Sequence, residues 1–356
     1  MKQCVLEEPG RLVVRDVRAP VPGPGGAVVR VRAALTCGTD LKAYRRGHPK
    51  MPCPTPFGHE VSGDIVALGD GVEGFEVGDA VMTANSGPCG QCFFCVRDQE
   101  NLCGSLMDEL LLGAYAEQVL LPARILGRNT FVKPDELSYE HAALLEPLSS
   151  VCLGLAHVRR RNLEGDATVL IMGAGPIAAL WLLALRLSGD CRVVVAGRRR
   201  PRLDMLRALG AYRVLGAEDD LDEAVAELTD GRGADVVVEC TGLPEVWEQA
   251  SSHARMGGQV VLFGGCRSGS RVSFDCARLH YGGVSIASPF HFRPRDVAEA
   301  RRLLAEPGAP WSGVVTSRAS LDDVPAVFER LGDATELKCA ILPGGLAETT
   351  GGEEKG

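Results

Sequence analysis

The amino-acid sequence predicts an α/β protein with two parts, one rich in β-strands and the other a doubly wound parallel sheet. With 356 residues the chain is longer than a single domain usually requires. Its apolar share of 46% and charged share of 24% are those of ordinary globular proteins. The rhythm of the apolar residues changes near Pro147. A mostly disordered or fibrous protein is therefore excluded.

The first part, from Cys4 to about Leu121, contains short apolar runs separated by turn residues, which predicts an all-β region. The predicted strands are residues 12–17, 27–31, 61–68, 80–82 and 116–121. Residues 20–26 are too rich in proline and glycine for a regular element and predict a loop.

After Pro147 the pattern alternates strand with helix, which predicts a parallel sheet covered by helices on both faces. The predicted strands are 168–172, 192–196, 236–240 and 259–263, and the predicted helices are 177–187, 202–209, 221–229 and 246–254. A helix at 295–304 and a strand at 340–342 follow. A tail rich in glycine and glutamate, residues 347–356, is predicted to be disordered.

Charge and cysteine content limit the partners and the compartment. The net charge of -8 argues against a general nucleic-acid or anionic-membrane partner. Thirteen cysteines in a long chain are an odd number and do not suit a secreted disulfide framework. Because the N-terminal residues carry charges and no apolar core, they predict no signal peptide, and we expect a cytoplasmic protein. Residues 169–185 lack charge but contain a glycine turn, so they predict no membrane span.

The most specific local pattern is a run of four cysteines in a loop-like segment, residues 86–105. Its members are Cys89, Cys92, Cys95 and Cys103. Spacings of two residues let a turn present neighbouring thiolates to one tetrahedral Zn2+, and four protein ligands would make that site structural. An iron–sulfur cluster, disulfides or free core cysteines are the alternatives.

A second candidate metal site is dispersed along the chain. Cys37, His59 and Glu60 lie in loops at the ends of predicted strands, and Glu146 lies in an apolar context before the α/β part. Taken singly, such a cysteine is usually a small buried residue, such a histidine a hydrogen-bonded one, and Glu146 a helix N-terminal carboxylate. Together they predict a zinc site with three protein ligands, which leaves one position open for chemistry.

A glycine pattern follows the predicted strand 168–172 and begins a helix. Gly173 would make the tight turn, and Gly175, with Pro176 and Ile177, would place a pyrophosphate at the helix N-terminus. The third small residue is Ala178. This context predicts a dinucleotide site, with a glycine turn used only for packing as the alternative.

The end of the next predicted strand indicates which dinucleotide binds. An NAD site usually offers an acidic residue there, whereas this chain has Gly197 followed by Arg198, Arg199 and Arg200. Guanidinium groups bind a 2'-phosphate with bidentate geometry, so the sequence favours NADP over NAD. A solvated basic helix start is the alternative.

These elements occur in the order found in the zinc-dependent medium-chain dehydrogenase/reductase (alcohol dehydrogenase) family, which the sequence resembles over nearly its whole length. Gly58-His-Glu-x2-Gly63-x5-Gly69 fits the family signature, and Glu146-Pro-Leu resembles its sorbitol and threonine dehydrogenase branch. The resemblance implies a GroES-like catalytic domain (1–147, completed by 289–346) interrupted by a Rossmann domain (148–288). It also implies a homodimer or homotetramer.

The resemblance also implies roles for individual residues. Cys37, His59 and Glu146 would hold the catalytic zinc, with Glu60 as a second carboxylate able to approach it, so that each chain carries one catalytic and one structural ion. Asp40 would orient His59. Zinc would act as a Lewis acid on the substrate oxygen during hydride transfer to the nicotinamide.

Proton transfer is where the sequence departs from many relatives. Thr39 would take the alcohol proton, but the histidine that many relatives place five residues after the ligand cysteine is Lys42 here. We expect Lys42 to relay the proton or to contact the cofactor ribose. His48 is nearby in sequence.

The leading functional prediction is a reversible dehydrogenase that transfers hydride between NADP and a secondary alcohol of the polyol, cyclitol or sugar-derived class. The alternatives are an NADPH-dependent ketone or aldehyde reductase in a biosynthetic pathway and a non-catalytic nucleotide-binding protein with the same fold. His291 is predicted either to face substrate or nicotinamide or to be a packed surface residue. Lys338 is predicted to be a solvated residue at a strand end, with a contact to cofactor phosphate as the alternative.

Overall fold

A computed structural model describes residues 1–48, 51–333 and 335–345, so the predicted disordered tail lies outside the described residues. Contacts divide the chain into two compact units. The first comprises Met1–Ser149, Phe292–Pro307 and the described residues from Val315 onward, and the second comprises Ser150–His291 and Gly308–Val314. Within the described ranges, none of the helices combines the length and apolar character that crossing a membrane requires.

The N-terminal part of the first unit is dominated by strands. Its elements are β1 Lys2–Glu8, β2 Arg11–Asp16, β3 Ala27–Leu35, α1 Gly38–Arg46, β4 Thr55–Pro56, β5 Glu60–Leu68, β6 Ala80–Thr83, β7 Gln118–Leu121, α2 Ala123–Asn129, β8 Thr130–Val132, α3 Tyr139–Ala142 and α4 Leu145–Ala156. The last helix, α4, continues into the second unit.

The second unit is built on a parallel sheet, which confirms the predicted fold class. Its elements are β9 Thr168–Met172, α5 Pro176–Ser188, β10 Arg192–Ala196, α6 Arg200–Ala208, β11 Arg213–Leu215, α7 Leu221–Leu228, β12 Ala234–Glu239, α8 Pro244–His253, β13 Ala254–Leu262, α9 Cys276–His280 and β14 Ser285–Ala287. The strand order is β11-β10-β9-β12-β13-β14, the order of a Rossmann fold. All five residues of β9 are buried, because helices cover both faces of such a sheet.

The chain then returns to the first unit through α10 Pro294–Leu304, β15 Val315–Ser320, α11 Val324–Arg330 and β16 Lys338–Leu342. One sheet of this unit has the order β15-β16-β3-β5-β6-β8, with β7 paired to β3, and a second has the order β2-β1-β4. Since β16 pairs with β3 through Ala340 opposite Leu35, the first unit is assembled from both ends of the sequence.

The prediction of an all-β region up to Leu121 is wrong at one point, because α1 lies inside it. The Cys37 sulfur accepts a hydrogen bond from the Thr39 N–H and so caps the helix, and Asp40 occupies its first turn. A backbone N–H at a helix start needs such a partner, and an acidic group there is favoured by the helix dipole. This helix carries several candidate site residues.

Two glycines of the family-like signature are required by close backbone approach. A Cβ on Gly63, in β5, would lie 2.0 Å from the carbonyl oxygen of Arg30 in the paired strand β3. A Cβ on Gly69 would lie 1.8 Å from the carbonyl oxygen of Gly23. Any other residue would displace the backbone of β3 at the first position and the loop before β3 at the second.

Gly63→Ala is expected to lower the free energy of unfolding by about 1–3 kcal/mol, because the added methyl group overlaps the backbone of β3. Gly127→Ala is the matched control. Gly127 lies in α2 with no atom within 4 Å of its ideal Cβ, so that substitution should leave stability unchanged or raise it slightly. Urea denaturation of both variants measures the difference, and equal midpoints would contradict the packing argument.

Candidate active site

Among the described residues, two groups of side chains have metal-ligand atoms close together. The first consists of Cys89, Cys92, Cys95 and Cys103, whose sulfurs all lie within 4.8 Å of one another. The Cys92 and Cys95 sulfurs are 3.5 Å apart and those of Cys89 and Cys95 are 3.8 Å apart. Zn–S bonds of about 2.3 Å around a tetrahedral ion would place the sulfurs about 3.8 Å apart.

The chemistry of this first group also suits a cation. All four cysteines are free thiols, so the arrangement is not a disulfide pair. Hydrogen bonds from the backbone N–H groups of Cys95 and Gly104 lower the pKa of Cys92 to about 6. The thiolate is the metal-binding form, so the loop favours that form at Cys92, whereas burial raises the pKa of Cys95 to about 12. These residues therefore fit one ion with four sulfur ligands.

The second group joins residues from separate elements. Cys37, His59 and Glu60 offer a sulfur, an imidazole nitrogen and a carboxylate oxygen that lie within 4.8 Å of one another. Glu146 does not belong to this group. It is buried in the first turn of α4, the helix-start position that the sequence offered as an alternative, and burial raises its pKa to about 7.

The backbone around His59 brings the imidazole to Cys37. Gly58 has a φ of +89°, and a Cβ there would lie 2.8 Å from the ring of Tyr115. Glycine is therefore required both by the conformation and by the close approach of the ring. The Tyr115 hydroxyl lies 2.8 Å from Asp40 Oδ2 and 3.0 Å from the carbonyl oxygen of Leu35. Tyr115 thus links the turn before His59 to α1, a role that the sequence did not suggest.

Asp40 contacts the imidazole directly. Its Oδ1 lies 2.9 Å from His59 Nδ1, and both side chains are buried. Burial lowers the pKa of His59, but the Asp40 carboxylate and the Cys37 sulfur outweigh it and raise that pKa well above its ordinary value. A carboxylate on one ring nitrogen fixes the tautomer and leaves the other nitrogen as a ligand atom.

The prediction of a solvated Lys338 is wrong, because this side chain is buried beside Glu60. Its ammonium lies 2.7 Å from Glu60 Oε1 and 2.5 Å from Oε2, and it donates to the carbonyl oxygen of Thr36 at 2.9 Å. Burial lowers the pKa of Lys338, but the Glu60 carboxylate outweighs it and raises that pKa above its ordinary value. The sequence reveals Lys338 only as a charge beside an apolar strand, and its partner is 278 residues away.

The remaining side chains predicted for chemistry lie on or near α1. Thr39 and Lys42 are exposed, and they are three residues apart on one helix. His48 is half-buried, and burial together with the charges of His59 and Arg46 lowers its pKa. In the second unit, His291 is half-buried with a φ of +64°, and its ring is 5.7 Å from that of Phe290.

The predicted dinucleotide turn lies at the carboxyl end of β9, where the strand order of the sheet reverses. Gly173 has a φ of +123°, which favours glycine, and Gly175 caps α5 with Pro176 and Ile177 as the first helical residues. A Cβ on Gly197, after β10, would lie 2.6 Å from the Cβ of Ala174 in the turn. An acidic residue at 197 would therefore displace the turn itself.

The three arginines after Gly197 are exposed but differ in their partners. Arg199 caps α6 and Arg200 begins it. Arg200 forms ion pairs with Asp204 at 3.1 Å and with Glu218 at 3.6 Å. The positive charge of Arg200 is therefore partly neutralised by neighbouring carboxylates.

Comparisons with known proteins agree with this combination of fold and site. A model of the alcohol dehydrogenase GroES-like domain matches residues 23–130, and a model of the zinc-binding dehydrogenase domain matches residues 176–306. The L-threonine 3-dehydrogenase of Pyrococcus horikoshii is 34% identical over 70% of this chain and 71% of its own length. The sorbitol dehydrogenase of Bacillus subtilis is 30% identical over 93% of both chains.

Solved structures have the same fold over nearly the entire chain. A structure from Sinorhizobium meliloti, described as a zinc-binding dehydrogenase bound to NADP, is 29% identical and superimposes with a TM-score of 0.87 over 96% of this chain and 99% of its own. The alcohol dehydrogenase of Thermus sp. ATN1 is 27% identical, with a TM-score of 0.86 over 96% of this chain and 99% of its own. The chain belongs to the zinc-dependent alcohol dehydrogenase family and is an oxidoreductase of that type.

Lys338→Met is expected to lower the free energy of unfolding by about 3–5 kcal/mol, because it leaves the Glu60 carboxylate buried without a counter-charge. Lys2→Met is the matched control, since Lys2 pairs with Asp322 at the surface, where both side chains are largely exposed. That substitution should change stability little. Chemical denaturation compares the two, and equal losses would show that burial of the Lys338 pair is unimportant.

Proposed function

We propose that this protein is a zinc-dependent dehydrogenase that interconverts a secondary alcohol and a ketone with NADP(H). The observation that carries the proposal is the convergence of the Cys37 thiol and the His59 imidazole, with Asp40 on the second nitrogen of the imidazole and buried carboxylates beside them. A mixed thiolate, imidazole and carboxylate set is that of a catalytic zinc site, in contrast to the four-sulfur group of the loop.

The carboxylate ligand of the catalytic zinc is assigned to Glu146, together with Cys37 and His59. Both oxygens of Glu60 face the Lys338 ammonium, which occupies them as acceptors. Glu146 is a buried carboxylate near enough to His59 for the charge of the imidazole to act on it, against the burial that raises its pKa to about 7. Glu60 is then a second carboxylate near the metal, and its ion pair with Lys338 keeps it from coordinating the ion. When bound, zinc supplies a Lewis acid that polarises the substrate oxygen.

Proton transfer is assigned to the exposed face of α1. The Thr39 hydroxyl would accept the proton that leaves the alcohol oxygen and pass its own proton on towards solvent, and a bound nicotinamide would supply the hydride acceptor. Residues three apart on a helix are neighbours, so the Lys42 ammonium lies next to Thr39 and is exposed to solvent. Lys42 is therefore proposed to replace the histidine relay that the chain lacks at this position: its ammonium would release a proton to solvent, and the resulting amine would take the proton that Thr39 passes on.

The proposed preference of the enzyme for NADP over NAD rests on the residues that follow β10. The missing carboxylate removes repulsion, and Arg198 and Arg199 are available for a 2'-phosphate, whereas Arg200 is engaged by Asp204 and Glu218. The Sinorhizobium neighbour with NADP bound supports this choice.

The substrate class rests on the named relatives. The threonine and sorbitol dehydrogenases suggest a secondary alcohol with polar neighbours, and we extend this to a polyol, cyclitol or sugar-derived substrate. An exposed hydroxyl and an exposed ammonium on α1 suit such a polar molecule.

The zinc assignment predicts two ions per chain in the purified protein, measured by elemental analysis, and NADP-dependent oxidation of a member of an alcohol, polyol and cyclitol panel. Cys37→Ser should bind one ion fewer per chain and lower kcat more than about a hundredfold, because the thiolate ligand is removed. Cys276→Ser, which alters an exposed free cysteine, should keep both ions and full turnover. An active Cys37→Ser protein with one ion per chain would contradict the mechanism.

The cofactor assignment predicts that Arg198→Ala and Arg199→Ala each raise the KM for NADP about 10- to 100-fold, since each removes a charge-assisted hydrogen bond to the 2'-phosphate. The KM for NAD should not rise. Arg160→Ala is the control, because Arg160 is an exposed arginine paired with Glu164 and away from any strand end. Steady-state kinetics with both cofactors measure the effect, and a wild type with equal kcat/KM for NAD and NADP would reject the assignment.

A further inference from the structure

Glu239, the last residue of β12, is a fully buried carboxylate that the proposed chemistry does not use. Its Oε1 accepts three hydrogen bonds, from the Thr241 N–H at 2.5 Å, the Thr241 hydroxyl at 2.5 Å and the Gly242 N–H at 2.9 Å. Burying a carboxylate is costly, and the donors converging on Oε1 offset part of that cost, while Oε2 has no hydrogen-bond partner among the described residues. The side chain therefore determines the shape of the turn that follows β12.

Thr241 is held in one orientation by this carboxylate. Its hydroxyl donates to Glu239 and accepts from the Leu243 N–H at 3.1 Å, so both hydrogen-bonding functions of the oxygen are used. The position of the oxygen fixes χ1, and χ1 in turn fixes the methyl group. Threonine is branched at Cβ and stiff at χ1, which makes this constraint effective.

The Thr241 methyl group lies against the predicted dinucleotide turn. A Cβ on Gly173 would be 3.2 Å from Thr241 Cγ2 and 3.4 Å from Cys240 Cβ. The Cys240 N–H also donates to the carbonyl oxygen of Met172, the residue before Gly173, at 2.8 Å. The segment after β12 thus supports the turn through a hydrogen bond to Met172 and through the Thr241 methyl group beside Gly173.

We propose that Glu239 and Thr241 are positioning residues for dinucleotide binding: the carboxylate fixes the Thr241 rotamer, and the Thr241 methyl group fixes the Gly173 turn against which the pyrophosphate binds. This inference rests on the proposed function, because it assumes that the turn binds the cofactor. Neither residue contacts the reacting atoms, so their effect falls on cofactor affinity and not on the chemical step.

The test is NADPH binding by fluorescence titration, with kcat and KM measured in parallel, for Glu239→Gln, Thr241→Ser and the double variant. Thr241→Ser keeps the hydroxyl and removes the methyl group. Thr229→Ser is the matched control, because Thr229 is the buried residue that ends α7 before β12 begins, donates to the Val225 carbonyl and accepts from the Gly233 N–H. It loses the same methyl group without touching the dinucleotide turn.

Each single variant should raise the Kd and the KM for the cofactor about 3- to 30-fold, which lies within the range of coupling between residues of one hydrogen-bond network, with kcat changed less than about twofold. Zinc content and the KM for the alcohol should stay at wild-type values. The Kd of the double variant should rise by less than the product of the two single-variant increases, because Glu239 acts through Thr241. Thr229→Ser should bind NADPH like the wild type.

The outcomes separate this inference from the function on which it rests. If the wild type does not bind NADPH, the proposed cofactor is wrong and the inference fails with it. If the wild type binds and Thr241→Ser binds equally well, only the inference is overturned. It is also overturned if Thr229→Ser weakens binding to the same degree, since a general loss of stability then accounts for the effect. Multiplicative effects in the double variant would overturn the link between Glu239 and Thr241.

Discussion

The ammonium group of Lys338 is the constraint on which the geometry of the candidate active site depends. It reaches the Glu60 carboxylate and the Thr36 carbonyl oxygen, and its side chain is 2% exposed. Thr36 directly precedes Cys37, and Glu60 directly follows His59. One cation from the last strand therefore holds together the two segments that carry the thiol and the imidazole. Since desolvating both charges is expensive, the arrangement is better explained by this positional role than by a gain in stability.

A second set of contacts completes the same site from the other side. Asp40 on α1 binds the imidazole of His59, and Tyr115 connects Asp40 to the end of β3. Each of these groups is buried, so a displaced partner would leave a polar atom without water or protein to bind it. The imidazole has therefore one stable orientation before any ligand arrives. Preorganisation of this kind removes a cost that would otherwise be met when the metal or substrate binds.

How much could be predicted from the sequence depended on how local each signal was. The predicted bounds of β9 and β10 agree with the structure, because a strand covered on both faces contains a continuous apolar run that its sequence shows directly. The helix α1 was missed, because a cysteine caps it in place of the usual serine, threonine, aspartate or asparagine. The burial of Lys338 could not be predicted, because its partner in sequence lies far away and only the return of the chain brings them together.

The two groups of metal-ligand side chains also differ in whether their residues are close together or far apart in the sequence. The four cysteines come from a single loop, so their spacing alone indicates the coordination that they can form, and the fold needs only to keep that loop compact. Cys37, His59 and Glu60 come from a helix cap, a glycine turn and a strand start, and a strand from the far end of the chain aligns them. A site of the first kind can be filled completely by its own loop. A site of the second kind brings unlike donors together through the fold of the unit as a whole, and three such donors leave one position of a tetrahedral ion open.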